Sequence, residues 1–185
     1  MAVLAKADRG FFLGAVAAMT SVVVASNILV QYPFEPFGLA DWLTWGAFSY
    51  PLSFFVTDLT NRQVGPQAAR RVVYAGFLVA VVLSALLSEP RIAAASGLAF
   101  LVGQLLDVTV FNRLRRQSWW RAPFVASALG SLVDTAVFFT AAFAGSGLPW
   151  TGWAAGDLAV KMTFALGLLA PFRLFMAWYR RPAMA

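Results

Sequence analysis

The chain contains no cysteine and no histidine, and only 12% of its residues are charged. Without cysteine and histidine there is no disulfide, no thiol nucleophile, no histidine acid–base chemistry and no ordinary zinc site. A typical soluble domain carries about 25% charged residues. Because 61% of the chain is hydrophobic, so little charge leaves too little polar surface for a soluble protein. The composition predicts an integral membrane protein.

Six apolar segments approach the roughly 20 residues that a helix needs to cross a bilayer. They cover residues 11–30, 41–60, 72–88, 92–112, 122–144 and 157–179. The third segment is short, and Pro51 interrupts the second, since a proline cannot donate to the helix ladder. The pattern predicts a single all-α domain over residues 1–185, built as a bundle of six transmembrane helices.

Most of the basic residues fall in loops on one side of this predicted bundle. They are Lys6, Arg9, Arg62, Arg70, Arg71, Arg113, Arg115, Arg116, Arg121, Arg180 and Arg181. The loops on the other side contain only Arg91. This bias predicts that both termini lie in the cytoplasm, and it requires the first segment to be retained as a span although it resembles a signal peptide. The net charge of +6 is then a topology signal, and no nucleic-acid partner is expected.

Two stretches repeat one pattern, GQLLDVTVF at residues 103–111 and GSLVDTAVF at residues 130–138. Each places an aspartate, Asp107 or Asp134, inside an apolar run. A carboxylate at membrane depth costs roughly 2.5–3.5 kcal/mol on insertion scales, so it is rarely there without a function. Helical spacing adds polar and aromatic residues to the same faces: Phe100, Gln104 and Phe111 in the first stretch, and Ser127, Ser131 and Phe138 in the second.

These polar stripes have two interpretations. They are either helix-packing seams, in which small residues allow close approach and the acids are paired, or seams that also line a solute site. Their occurrence on two helices of opposite direction is compatible with the inverted symmetry that transporters use for alternating access. A carboxylate accepts two parallel N–H bonds from a guanine-like edge, and an aromatic ring offers a stacking face. The stripes therefore allow a flat heterocycle as the solute.

Three blocks of sequence carry a resemblance to a known family. They are PLSFFVTD at residues 51–58 continuing through Asn61, FLVGQLLD at residues 100–107 with Phe111, and SLVDT at residues 131–135 with Phe138. In these blocks the chain resembles the queuosine precursor transporter family, also called the vitamin-uptake-like (VUT) family. The resemblance implies a bacterial inner-membrane importer of 7-cyano-7-deazaguanine or 7-aminomethyl-7-deazaguanine that is not an enzyme and needs no cofactor. Many members carry Glu after Asn61, where this chain has Arg62, and this difference leaves queuine or a related 7-deazapurine open as the substrate.

The resemblance and the buried polar residues together imply a set of substrate-binding residues. They are Asp107, Asp134, Asp58, Gln104, Asn61, Asn27, Lys161, Phe54, Phe100, Phe138 and Ser131. The aspartates are expected to pair with the N–H edge of the purine, the amides to bond its other polar atoms, and the phenylalanines to stack on it. The lysine is expected to neutralise a carboxylate or to close the outer gate.

Two rival functions fit the same residues. An intramembrane enzyme needs two aspartates that share a proton, and Asp107 and Asp134 are candidates for such a pair. A substrate-binding subunit of a larger energised importer needs a partner surface, for which Gly10 and Gly14 or residues 93–97 provide small-residue faces. The sequence leaves open whether transport is coupled to protons through Asp107 or Asp134 or is facilitated, and whether the protein is a homodimer. Contact with membrane lipid is expected.

Overall fold

The structure is a computed structural model that describes residues 6–179, and over that range it is helical. The helices are α1 Lys6–Leu29, α2 Gly46–Ser49, α3 Pro51–Gln63, α4 Pro66–Leu87, α5 Pro90–Leu114, α6 Arg121–Phe143, α7 Trp150–Gly167 and α8 Leu169–Trp178, with a short 3₁₀ turn at Pro36–Gly38. The described part of the chain has no β-strand beyond an isolated bridge between Pro33 and Thr44. The predicted all-α class is confirmed.

Five helical stretches are long and apolar enough to cross a membrane. They are Asp8–Leu29, Pro66–Leu87, Pro90–Leu114, Arg121–Phe143 and Trp150–Trp178. They match the first and the third to sixth predicted segments, which agrees with a membrane protein of several spans. The third segment begins earlier than predicted because Pro66 occupies the first helical position, where a missing N–H costs nothing.

The second predicted segment is not one helix. Residues 41–45 lie outside any helix, and the helical part is divided into α2 and α3 around Tyr50. Pro51 causes the division because it has no N–H to donate to the carbonyl of Ala47. The sixth segment likewise begins seven residues early, at Trp150, and divides at Leu168, three residues before Pro171. The interruption of the second segment by Pro51 is therefore confirmed, and the sixth segment contains a similar break within the span Trp150–Trp178.

The two ends of the bundle differ in charge. The basic end is formed by residues 64–65 and 115–120 with the adjoining helix ends, where Arg62 donates to the carbonyl of Arg115. The opposite end, formed by residues 30–45, 88–89 and 144–149, is called the open end because the main cavity reaches the surface there. Two of the basic residues that predict this orientation, Arg180 and Arg181, lie outside the described residues.

The antiparallel pair α5 and α6 forms the centre of the bundle, and the two repeated stretches meet there. A Cβ added to Gly103 would lie 2.8 Å from Asp134 Cβ and 3.0 Å from the Gly130 carbonyl oxygen. A Cβ added to Gly130 would lie 3.0 Å from the Gly103 carbonyl oxygen and 3.2 Å from Asp107 Cβ. These contacts are reciprocal, so the two helices cross about an approximate local two-fold axis, and only glycine permits this approach.

Candidate functional site

A cavity of about 650 Å³ extends from the open end toward the middle of the bundle. Its mouth includes the exposed residues Gln31, Trp42 and Glu89, and its deepest residues include Asp134 and Lys161. Pockets of this size hold small organic ligands, which they usually contact through apolar walls and a few placed polar groups. The cavity therefore presents the polar residues of the bundle interior to the surface at the open end.

Five residues form a hydrogen-bonded group at the bottom of this cavity, which we call the floor cluster: Tyr50, Asp134, Thr135, Asp157 and Lys161. The Tyr50 hydroxyl donates to Asp134 Oδ1 at 2.6 Å, and Lys161 Nζ donates to Asp134 Oδ2 at 2.7 Å. Lys161 Nζ also forms an ion pair with Asp157, whose carboxylate accepts from the Thr135 hydroxyl at 2.7 Å. Asp134 and Lys161 are each 4% exposed.

The floor cluster carries a negative charge and retains acceptor capacity. Two carboxylates, Asp134 and Asp157, face one ammonium group, that of Lys161. Each carboxylate oxygen has two lone pairs, so the bonds from Tyr50 and Lys161 use about half of the acceptor positions of Asp134. A ligand that offers two parallel N–H groups can therefore bind Asp134 without displacing either residue.

Aromatic side chains form the cavity wall above the floor cluster. Phe100 and Phe138 both line the cavity, and Phe139, Phe143 and Trp153 continue the wall. The predicted contact of Phe100 and Phe138 with a solute stays a prediction. Phe100 lies edge-on to Tyr50, with ring centroids 6.3 Å apart. Asn27 also lines the cavity, but its Oδ1 already accepts from the Ser84 hydroxyl at 2.8 Å.

The two remaining predicted aspartates lie apart from the cavity, on the basic side of the α5–α6 crossing. Asp58 is 2% exposed and Asp107 is fully buried, and neither lines the cavity. Both lie against the same turn of α6, since Ser127 bonds to Asp58 and Gly130 packs against Asp107 Cβ, and we call them the carboxyl pair. The Ser127 hydroxyl donates to Asp58 Oδ2 at 3.0 Å. The predicted solute contact of Asp58 and Asp107 stays a prediction.

A family model described as "Putative vitamin uptake transporter" matches residues 44–89 and 84–176. The chain belongs to this family. Of its curated relatives, the queuosine precursor transporter of Escherichia coli (strain K12) is 40% identical, over 66% of this chain and 64% of the relative. The probable queuosine precursor transporter of Haemophilus influenzae is 37% identical, over 81% and 79%. No solved structure matches the chain.

These comparisons confirm the family expected from the three sequence blocks. They also agree with a function other than catalysis, because the relatives are named as transporters. The chain spans less than two thirds of the length of the Escherichia coli relative. The pair of Asp107 and Asp134 named in the enzyme hypothesis is not formed in the structure, since Asp134 bonds to Tyr50 and Lys161 and neither oxygen of Asp107 has a hydrogen-bond partner among the described residues.

Gln104 and Asn61, both predicted to bond the solute, are used between helices in this member of the family. Gln104 Nε2 donates to the Ser53 hydroxyl at 2.7 Å, and its Oε1 accepts from the Thr57 hydroxyl at 2.6 Å. Asn61 Nδ2 donates to the Val108 carbonyl at 3.0 Å. Both residues are 0% exposed and lie outside the cavity lining. They connect α3 to α5, which agrees with the interpretation of the polar stripe as a helix-packing seam.

Phe54 and Ser131 line a different, much smaller cavity. Its volume is about 10 Å³, which is close to the minimum space for a single water molecule. Asp58, Ser127 and Lys161 also border it. Lys161 therefore borders both cavities, and the small one lies between the floor cluster and the carboxyl pair.

Sequence reasoning missed Tyr50 and Asp157 as site residues. Asp157 precedes Lys161 by four residues, a spacing that places both on one helix face. It was overlooked because the predicted sixth segment began at Asp157 and so treated that residue as a boundary. Tyr50 immediately precedes the first family block, and no periodicity distinguishes it. The hydrogen bond from Tyr50 to Asp134 joins positions that are 84 residues apart.

The hydrogen bonds of Gln104 lead to a prediction that separates a seam residue from a ligand residue. Gln104→Met should remove two interhelical hydrogen bonds, which average about 0.6 kcal/mol each within membranes, and so lower the unfolding free energy by about 1 kcal/mol. The ligand-induced rise in melting temperature should stay unchanged, since Gln104 lies outside the cavity lining. Thermal unfolding with and without ligand measures both quantities.

The exposed residue Gln67 of α4 provides the matched control. Gln67→Met should change neither the melting temperature nor the ligand response. If Gln104→Met abolishes the ligand response and leaves the melting temperature unchanged, Gln104 binds the solute after all.

Proposed function

We propose that the protein imports a queuosine precursor, a 7-deazapurine, across the bacterial inner membrane and binds it at the floor cluster. The observation that carries the proposal is Asp134, a buried carboxylate with free acceptor positions at the bottom of an aromatic-walled cavity. The names of two relatives, both queuosine precursor transporters, point to the same solute class.

The binding pose follows from the chemistry of the base. A 7-deazaguanine presents a ring N–H and an amino group side by side, and this edge suits the two oxygens of Asp134. Phe100 and Phe138 then contact the faces of the bicyclic ring. Asn27 is placed in the wall for the remaining polar atoms. The Lys161 ammonium group lies 2.7 Å from the Asp134 carboxylate and forms an ion pair with it.

We further propose that the chain crosses the membrane six times, with α2 and α3 together as the second crossing. At about 1.5 Å per residue, Gly46–Gln63 spans about 27 Å, close to the roughly 30 Å of the hydrocarbon core. The basic end is cytoplasmic in this arrangement because Lys and Arg accumulate on that side of bacterial membranes. The open end then faces outward, and the described conformation is the one that receives the solute.

Uptake by the purified protein in liposomes tests the transport function. Radiolabelled 7-cyano-7-deazaguanine should enter protein-containing vesicles by a saturable route and should not enter protein-free vesicles. Unlabelled 7-aminomethyl-7-deazaguanine should compete, whereas an unrelated vitamin should not. If no deazapurine enters or competes, while another heterocycle does, the substrate assignment fails and the carrier function remains.

The same experiment tests the alternative that the protein is a substrate-binding subunit of a larger importer. One observation favours that hypothesis: a Cβ added at Gly10 or Gly14 of α1 meets no heavy atom of the described residues within 4 Å, so these residues leave room for a partner helix on this face. Uptake by the protein alone would exclude an obligatory partner. Uptake that appears only after a co-purifying protein is added would support the subunit role.

A further inference from the structure

The carboxyl pair of Asp58 and Asp107 is buried without the donors that buried carboxylates normally have. Among the described residues, no N–H or O–H group bonds to Asp58 Oδ1 or to either oxygen of Asp107. The side-chain oxygen of Asn61, one turn along α3 and 0% exposed, also has no donor. Since most buried polar atoms in proteins are hydrogen-bonded, this cluster requires a further positive group.

No basic side chain of the described residues supplies that group. The elements around the pair are α3, α5, α6 and α7, and their charged side chains near it are Asp134 and Lys161. The Lys161 ammonium is already bonded to Asp134, Asp157 and Thr135. Two ionised carboxylates in direct contact at membrane depth repel each other strongly, and neither is solvated.

The missing positive group is a proton and not a metal cation. Asp58 and Asp107 lie against the same turn of α6, and two neighbouring buried carboxyl groups can share one proton. A sodium or calcium ion needs about six oxygen ligands around a cavity of its own. The described residues contain no group of three acidic residues suited to a metal. Ser127, which donates to Asp58 Oδ2 at 3.0 Å, stabilises the single negative charge that remains.

The position of the pair connects it to the solute site. Gly103 packs against Asp134 on one side of the α5–α6 crossing, and Gly130 packs against Asp107 on the other. The small cavity, which Asp58, Ser127 and Lys161 border, lies between the pair and the floor cluster. Asp134 therefore lines the cavity that reaches the open end, whereas its counterpart Asp107 does not.

We propose that Asp58 and Asp107 form a proton-binding site that couples proton entry to uptake of the solute bound at the floor cluster. The inference rests on the proposed transport function. With one shared proton the pair carries one negative charge, and without that proton it carries two negative charges. Two charges are tolerable only in contact with water, so the conformation closed at the basic end requires the proton. When the basic end opens, the pair releases this proton to the cytoplasm, and it is reloaded from the open end in the next cycle.

Proteoliposomes loaded at different pH values test the coupling. An inward proton gradient should drive accumulation of labelled 7-cyano-7-deazaguanine above the outside concentration, and a protonophore should abolish it. A sodium gradient should have no effect, and accumulation driven by sodium alone would overturn the proposal. Asp107→Asn offers an amide N–H to Asp58 but removes the shared acid proton. It should retain exchange of labelled for unlabelled solute and lose gradient-driven accumulation. Asp58→Asn should behave in the same way.

Exchange and accumulation separate the two hypotheses. If wild-type vesicles exchange the solute but ignore the proton gradient, the coupling fails and the transport function stands. If they do not exchange it, the transport function fails.

Infrared spectroscopy of the purified protein then still tests the pair directly. The carbonyl band of a protonated carboxylic acid should be present in wild type and in the exposed-residue control Glu35→Gln and lost in Asp107→Asn. Its absence in wild type would overturn the proton site.

Discussion

Asp134→Asn should abolish transport while leaving the protein folded. The substitution removes the negative charge and replaces one acceptor oxygen by an NH₂ group, which opposes the N–H edge of the solute. A hydrogen bond to a charged group contributes about 1.5–3 kcal/mol, so losing the paired interaction should weaken binding about a hundredfold or more. The ligand-induced rise in melting temperature and the uptake in vesicles should both disappear.

The fold should survive this substitution because Lys161 keeps a partner. Its ammonium remains paired with Asp157 and bonded to Thr135, so no unpaired buried charge is created, a defect that costs about 3–5 kcal/mol when a buried pair is broken outright. Glu35→Gln, which removes an exposed carboxylate outside the cavity, is the control and should retain full uptake. A folded Asp134→Asn protein with wild-type affinity would move the binding site away from the floor cluster.

Gly103→Ala should destabilise the protein more than Gly97→Ala, the same change at the other glycine of α5, where the nearest atom is the end of the Val81 side chain at 3.3 Å. The new Cβ would lie 2.8 Å from Asp134 Cβ and 3.0 Å from the Gly130 carbonyl oxygen, and neither atom is the far end of a flexible side chain. The helices must separate, and such overpacking costs about 1–3 kcal/mol. Since Asp134 shifts with α6, uptake should fall as well. Thermal unfolding in detergent and uptake in vesicles measure the two effects.

Gly14→Ala is the matched control, because the same methyl group on α1 meets no atom within 4 Å. Alanine is the better helix former by up to about 1 kcal/mol, so this variant should be as stable as wild type or more stable. Gly130→Ala should resemble Gly103→Ala, since the contacts are reciprocal. Equal melting temperatures for Gly103→Ala and Gly14→Ala would show that the close crossing of α5 and α6 is not required.

Helix locations were predictable from the sequence, but helix interruptions were predictable only in part. Pro51 indicated a weakened ladder and a break occurs beside it, and a similar break three residues before Pro171 was found only in the structure. The early starts at Pro66 and Trp150 were missed because hydropathy alone sets a boundary where the polar or aromatic residues begin. Helix starts depend on the backbone of the first turn, where a proline is accepted at little cost.

The residues predicted to bind the solute likewise divide into those that line the large cavity and those that do not. Asp134, Lys161, Phe100, Phe138 and Asn27 were predicted, and all of them line the large cavity. Gln104, Asn61 and the carboxyl pair share the same stripes but lie outside it. Periodicity gives the face of a helix on which a residue lies, and it does not give the depth or the partner that this face meets.

The sequence by itself determined the helical membrane class, the family and the identity of the buried acids. It could do so because the transfer free energy of a segment depends mainly on its own residues, and because a carboxylate in an apolar run is conspicuous wherever it lies. Only the tertiary structure decided that Asp134 meets Tyr50 and Lys161 at a cavity floor whereas Asp107 meets Asp58 beneath it. Those partners come from different helices, and their meeting depends on how the glycine crossing of α5 and α6 sets the rotation and depth of each helix.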